Sequence, residues 1–196
     1  AMPGDYALVD LPFFQEAIMG IQEIAGMMEY DILLCISQGD DVASLKRIIM
    51  NRKVDGVILL RTFVNDPQVE FLIEKDIPFV AAGSSEYEKV KQVDHDHETA
   101  CKELTSIILM RGLKNIAILG GNESFVVNQT RLRGVRDAYE QFGIKLEPGS
   151  LFMNLESKPF IEKAVDDALA QEAECILCMD DAICSQVLRK LRQDHV

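Results

Sequence analysis

An α/β fold with parallel sheets is what this sequence predicts, and two patterns predict it. Short runs of continuously apolar residues recur along the chain, and the segments between them carry apolar residues at helical spacing. Strands that are apolar at every position, rather than at alternate ones, are the kind buried on both faces by helices. Alternation of the two over the whole length is the doubly wound arrangement.

The expected strands are Asp31-Ile-Leu-Leu-Cys-Ile-Ser37, Gly56-Val-Ile-Leu-Leu60, Ile77-Pro-Phe-Val-Ala-Ala82, Asn115-Ile-Ala-Ile-Leu119 and Cys175-Ile-Leu-Cys178, with Leu151-Phe-Met153 weaker. The expected helices follow their stripes. Phe14, Ile18, Ile21, Ala25 and Met28 step by four and three, as do Val42, Leu45 and Ile49. Leu132, Val135, Tyr139 and Phe142 form another stripe, with Gly143 supplying a left-handed stop. Ser157 reads as a cap with Pro159 in the first turn of a helix carrying Phe160, Ala164, Ala168 and Gln171. Ile183, Val187 and Leu191 form the last stripe. Each strand ends in small or polar residues: Ser37-Gln38-Gly39, Arg61-Thr62, Gly83-Ser84-Ser85, Gly120-Gly121-Asn122 and Asp180-Asp181. Ligands of open α/β sheets bind outside the carboxyl ends of the strands, so these ends predict a polar cleft for a small hydroxylated ligand.

Bulk composition narrows the function. The 196 residues are 48% hydrophobic, ample for a packed core, and carry a formal charge of −12. Duplex affinity comes mostly from neutralising phosphates with Lys and Arg, so a chain this acidic does not hold DNA by itself. No basic-plus-apolar leader and no membrane-length apolar run is present, and Cys35, Cys101, Cys175, Cys178 and Cys184 form no dense framework. Together these point to reduced thiols in the cytoplasm. Cys175 and Cys178 make a CxxC, but inside a strand residues three apart face opposite ways, which argues against a redox or zinc pair.

The search for catalytic machinery is negative: there is no GxGxxG, P-loop or GxSxG, and no cofactor is implied. The cluster Asp94-His95-Asp96-His97-Glu98 reads as a strand end followed by a helix N-terminus capped by Asp96, not as a metal site. The chain is therefore expected not to be an enzyme.

Several ordered segments carry a resemblance. Asp10-Leu-Pro-Phe-Phe14 followed by Ala17-Ile-Met-Gly20-Ile, then Tyr30-Asp-Ile-Leu-Leu, Arg52-Lys-Val-Asp-Gly-Val-Ile-Leu59 and Asp76-Ile-Pro-Phe-Val80 come first. Asp96-His-Glu-Thr-Ala100, Arg111-Gly-Leu-Lys-Asn-Ile-Ala-Ile-Leu-Gly-Gly121, Arg131-Leu-Arg-Gly134 and Asp180-Asp-Ala-Ile-Cys184 follow. In this order and spacing the chain resembles the effector-binding domain of the lactose/galactose-repressor family. The resemblance implies two Rossmann-like lobes around a ligand cleft, like a periplasmic binding protein, with residues 1–111 in the first lobe and 112–196 in an incomplete second lobe. It also implies a homodimer, a small-molecule effector (a sugar or a relative of one), and DNA binding only through a helix-turn-helix headpiece absent from this chain. A solute-binding protein of a sugar transporter is the alternative.

The resemblance assigns ligand-binding candidates residue by residue. Phe14 matches an aromatic that packs on the ligand, or it is a core residue of its helix. Arg131 matches an arginine that bonds sugar hydroxyls or an acidic effector, for which its fork of donors suits, or it is an exposed helix arginine. Asp96 matches an aspartate at a strand end. Asp180 stands where the family usually has Asn, and Asp181 matches the following Asp or serves only as a helix cap. An ionised Asp only accepts, whereas Asn also donates, so the substitution implies an altered hydroxyl pattern or a cationic partner. Arg61 joins the set through its place on the expected rim. Compared with the family, the chain stops at Val196 about a third of the domain early, and Tyr6-Ala-Leu-Val9 is either a short first strand or a loop. Exposed sheet edges, exposed apolar surface and poor solubility are the expected result.

Overall fold

A computed structural model of the chain describes residues 2–3, 12–37 and 41–196. Tyr6-Ala-Leu-Val9, Asp10, Leu11 and Gln38-Gly39 lie outside the described residues. The architecture is α/β, every strand pairing is parallel, and the chain separates into two compact units, Ala1–His95 and Asp96–Val196.

The first unit runs β1 (Met2–Pro3), α1 (Pro12–Met27), β2 (Ile36–Ser37), α2 (Ala43–Met50), β3 (Val57–Leu59), α3 (Pro67–Glu74), β4 (Phe79–Ala82) and β5 (Lys91–Val93). β1 pairs with β2, and β3-β4-β5 form a separate sheet in that order. Leu45 and Ile49 of α2, Val69, Phe71 and Leu72 of α3, Leu59 and Ala81 make its main core. α1 buries Phe14 against Leu60, with Ala17, Ile18, Ile21 and Ala82 beside them. α3 is fixed by Asp66, a fully buried carboxylate that accepts from the N–H groups of Phe63, Gln68 and Val69, with Pro67 in the first turn.

Two expectations for this unit need correction. Of the apolar run Asp31–Ser37, only Ile36–Ser37 is strand, and Ile32, Leu33 and Leu34 are exposed. The pairing ends with its partner: only Met2–Pro3 meets it among the described residues. Met28 is exposed, beyond the end of α1, and not part of its buried stripe.

The second unit runs α4 (His97–Met110), β6 (Ile116–Leu119), α5 (Val126–Gln141), a 3-10 turn at Pro148–Ser150, β7 (Leu151–Phe152), α6 (Lys158–Ala170), β8 (Cys175–Cys178) and α7 (Asp181–Gln193). β6 is the central strand of β7-β6-β8 and is buried at every residue. Its side chains alternate: Ile116 and Ile118 join Leu132, Val135, Ala138 and Tyr139 of α5, with Leu109 of α4. Ala117 and Leu119 join Ile161, Ala164, Val165 and Ala168 of α6, with Ile183 and Val187 of α7. The unit is thus a three-layer sandwich. Cys175 packs with the first cluster and Cys178 with the second, so the CxxC pair does face opposite ways. All five cysteines are free.

The local signals of this unit divide. Of the stripe expected on α6, Ala164 and Ala168 are buried but Phe160 and Gln171 are exposed, and Ile161 and Val165 take the inner face instead. Gly143 has φ +62° directly after α5, the left-handed stop expected there. Ser157 precedes α6 in extended conformation but makes no side-chain capping bond.

The tightest packing joins α4 and α5, which run in the same direction, with residues 97, 98 and 102 facing 131, 133 and 137. A Cβ on Gly134 would lie 2.1 Å from the Glu98 carbonyl oxygen and 3.0 Å from the Lys102 nitrogen. Only glycine fits there, because the obstacle is helix backbone and cannot swing away. Gly134→Ala is therefore expected to destabilise the chain by about 3 kcal/mol, the upper end for overpacking, measured by urea denaturation.

Candidate functional site

The carboxyl ends of β3 and β4 carry the first group of candidates. Leu60 turns into the core beside Phe14, and the next residue, Arg61, lays its guanidinium over the Phe14 ring, 4.9 Å from the centroid. A cation over an aromatic face is attractive by about 0.5–2 kcal/mol. Phe13 meets Phe14 edge-on with centroids 5.4 Å apart. Phe14 is thus a core residue of α1, as one of the two sequence readings held, and its ring face is also engaged by Arg61. Behind them, the buried Thr62 hydroxyl donates to the Ser84 carbonyl, and Ser84 hydrogen-bonds Asp94. A cavity between β2 and α2, lined by Leu33, Cys35, Arg47 and Lys53 among others, contains none of the candidates.

The second unit gathers the remaining candidates along one rim. Asp96 caps α4, accepting from the Thr99 N–H at 3.0 Å. His97, the first residue of α4, faces Arg131 on α5: the Arg131 Nε–H donates to His97 Nδ1 at 3.5 Å. One turn earlier on α5, the buried Asn128 donates from Nδ2 to the Asn122 carbonyl. Gly121 lies against it; a Cβ there would stand 3.0 Å from Asn128 Nδ2 and 3.9 Å from Asp180 Oδ2. The order along the rim is Asp96, His97, Arg131, Asn128, Gly121, Asp180. The loop after β6 is secured by Asn154, which accepts from the Glu123 N–H and donates to the Glu123 carboxylate.

Asp180 has a structural task as well. Its Oδ1 accepts from the Ile183 N–H at 2.8 Å, which makes it the N-cap of α7. The cap expected of Asp181 is carried by Asp180 instead, because the helix starts at Asp181. Asp181 is exposed and its carboxylate only reaches the neighbouring Ala182 N–H. Sequence reading missed His97 and Asn128 as rim residues. The spacing of Asn128 one helical turn before Arg131 was the available signal for the second.

The electrostatics follow from these bonds. Hydrogen bonds from Thr99 hold the Asp96 carboxyl below its usual range, and the neighbouring His97 adds to this. Burial pushes the Cys178 thiol up to about 12, with Cys184 and Asp180 contributing, so it stays protonated and unreactive. Nothing in this group resembles an activated nucleophile. The set is one of donors and acceptors.

With this geometry in view, comparison with known proteins decides the relationship. Residues 6–193 match the family described as periplasmic binding proteins and sugar binding domain of LacI family. The chain belongs to this family. The regulator MalR of Streptococcus pneumoniae serotype 4 is 26% identical over 143 residues, 72% of this chain and 44% of MalR. Catabolite control protein A of Staphylococcus xylosus is 25% identical over 174 residues, 86% of this chain and 52% of that protein. The chain spans about half the length of the curated relatives it matches. A solved LacI-type transcriptional regulator from Bacillus cereus subsp. cytotoxis superposes with a TM-score of 0.84 at 29% identity, over 93% of this chain and 67% of the other. The regulator CelR in complex with cellobiose superposes with a TM-score of 0.84 at 22% identity, over 99% and 61%, and shares the fold. These relatives are regulators, not enzymes, and no helix among the described residues of this LacI-family chain is long and apolar enough to cross a membrane.

The capping role of Asp96 carries a sign. A carboxyl held below its unfolded value adds stability that is complete above the ordinary aspartate range, and that stability is lost as pH falls through the lowered folded value. An NMR titration is expected to show the Asp96 carboxyl titrating below about 3.9, with the Thr99 amide losing exchange protection over the same acid range.

Proposed function

We propose that this chain is the effector-sensing and dimerisation part of a cytoplasmic bacterial transcription repressor, with a sugar or related small molecule as effector. The observation that carries this reading is the rim of the second unit, where the Arg131 guanidinium supplies donors and the Asp180 carboxylate an acceptor, with the Asn128 amide, bonded to the Asn122 carbonyl, between them. A polyol needs such a mixture, and none of these groups is set up for covalent chemistry. The regulator relatives support the repressor over a transporter component. The formal charge of −12 supports a DNA contact made by a headpiece elsewhere in the longer protein. In this reading effector binding favours one angle between two lobes, and the dimer passes that angle to DNA. The coupling requires different effector affinities for the two angles.

The proposed ligand contacts are Phe14, Arg61, Asp96, Arg131, Asp180 and Asp181. Maltose and cellobiose are the first probes, since a repressor of the maltose operon and a cellobiose complex are among the proteins of the same fold. In isothermal calorimetry Arg131→Ala is expected to weaken binding at least tenfold, the loss of a charged hydrogen-bond donor. Asp180→Asn is the informative partner. Asn caps a helix as well as Asp does, so stability should change by less than about 0.5 kcal/mol while affinity for the sugar changes measurably. Failure of every neutral sugar and sugar phosphate to bind would count against the reading. A signal peptide upstream in the gene, instead of a helix-turn-helix, would favour the transporter alternative.

The homodimer is proposed on α1. Besides its buried stripe, this helix presents Phe13, Gly20, Ile24 and Met27 on one adjoining face, and the three large residues are exposed. Glycine inside a helix costs about 1 kcal/mol relative to alanine, yet among the described residues nothing apart from its chain neighbours and the nearby helix backbone lies within 4 Å of where a Gly20 Cβ would stand. A second copy approaching closely along this face would use that space and cover the apolar residues. Ile24→Glu is expected to shift the sedimentation coefficient from dimer to monomer without loss of helical circular dichroism.

A further inference from the structure

We propose that His97 is a positioning residue for Arg131: in its neutral form it fixes the guanidinium at the rim, and its protonation releases it. This inference rests on the effector-binding reading above and deepens it.

The direction of one hydrogen bond sets the tautomer. The Arg131 Nε–H is the donor, and arginine has no acceptor, so His97 Nδ1 must be the unprotonated nitrogen and the ring proton must sit on Nε2. Bonding through Nε leaves the two terminal nitrogens of the guanidinium out of the bond to His97. Those are the fork that a pair of hydroxyls or a carboxylate would take.

Both partners are held by their backbones. His97 directly follows the capping Asp96, so its position is set by the first turn of α4. Arg131 lies one turn before Gly134, where α5 touches the α4 backbone and cannot slide. Along the same seam Glu98 takes Arg133, 3.0 Å away, and Lys102 faces Asp137. Arg133 is therefore committed to a carboxylate while Arg131 meets only a neutral ring in the bonds of this seam.

The charged and titratable groups around His97 oppose one another. Asp94 and His95 come close, with a carboxylate oxygen and a ring nitrogen within 4.8 Å of a His97 ring nitrogen; the carboxylate favours the imidazolium and a charged His95 would disfavour it. Asp96, its neighbour in sequence, favours the imidazolium. Arg131 disfavours it, and the thiol of Cys101, one turn along α4 and within the field of Arg131, is held protonated by burial. Glu98 is engaged by Arg133. Imidazole changes charge between about pH 5 and 8, and in its charged form Nδ1 is a donor facing another donor. Acid therefore loosens Arg131 and reduces effector binding.

The test has two arms on the chain of residues 1–196. In the first, ¹⁵N NMR without ligand at pH 7.5 should show His97 protonated at Nε2 and a slowly exchanging Arg131 Nε–H signal. That signal should be lost in His97→Ala and kept in His97→Asn, whose amide oxygen replaces Nδ1 as acceptor. An Arg131 Nε–H signal that is unchanged in His97→Ala overturns the proposal. In the second arm, calorimetry with maltose and cellobiose should show about tenfold weaker binding in His97→Ala and near wild-type binding in His97→Asn. Wild-type affinity should fall between pH 7.5 and 5.5, while that of His97→Asn stays flat. Wild-type affinity in His97→Ala, or the same pH profile in both proteins, overturns the proposal. If neither sugar binds the wild type while the NMR result holds, positioning is supported and the sugar reading is the part that fails.

Discussion

The backbones of α4 and α5 touch at Gly134, and the rim of the second unit depends on that contact. A residue with a side chain there would push the helices apart by more than an ångström. The cross-helix pairs at residues 97 and 131, 98 and 133, and 102 and 137 would then separate together. Beneath them the contact brings Leu109 onto Leu132 and Val135 over the buried strand β6. The same seam thus joins the hydrophobic layer to the polar rim: the core sets the distance between helices, and that distance decides which side chains at the helix starts can reach each other.

The first unit relies on buried polar groups at its loops. Asp66 is almost wholly removed from water and would be costly there without partners, but three backbone N–H groups converge on it. Thr62 is tied to the Ser84 carbonyl, so the ends of β3 and β4 are pinned to each other through a hydroxyl. Arg61, between Leu60 and Thr62, inherits its placement from both neighbours and meets Phe14 as a consequence.

How much of this was legible depends on whether a signal is local. β4 and β8 are apolar runs, although only Ala81 and Leu177 in them are buried; the central strand β6, buried at every residue, announces itself because every residue must be apolar. β5 does not: Lys91, Gln92 and Val93 form an exposed edge, so nothing forces an apolar run. α3 is short, and its strongest mark, Asp66 before Pro67, lies in the cap rather than in a stripe. Capping of α4 by Asp96 was readable from residue type and place. Capping of α7 by Asp180 instead of Asp181 was not, because it turns on where the helix begins by one residue. His97 reaches the rim only through the packing of α4 on α5, which no spacing within α4 encodes; Asn128 was signalled by its place one turn before Arg131, but its bond to the loop after β6 was not.

Asp180 shows how a structural role and a binding role share one side chain. Capping uses Oδ1 alone, and Asn would satisfy the Ile183 N–H equally well. The stability of α7 therefore does not explain the choice of a carboxylate over an amide at this position. The remaining oxygen, Oδ2, faces Gly121, beyond which the Asn128 amide lies. The Asp180 carboxylate only accepts, and the Arg131 guanidinium towards the other end only donates. A ligand spanning both must present a donor to Asp180 and acceptors to Arg131, which a polyol does through its hydroxyls. Within the proposed function, the carboxylate at 180 thus selects for a donor group on the effector, placed where helix capping already holds it rigid.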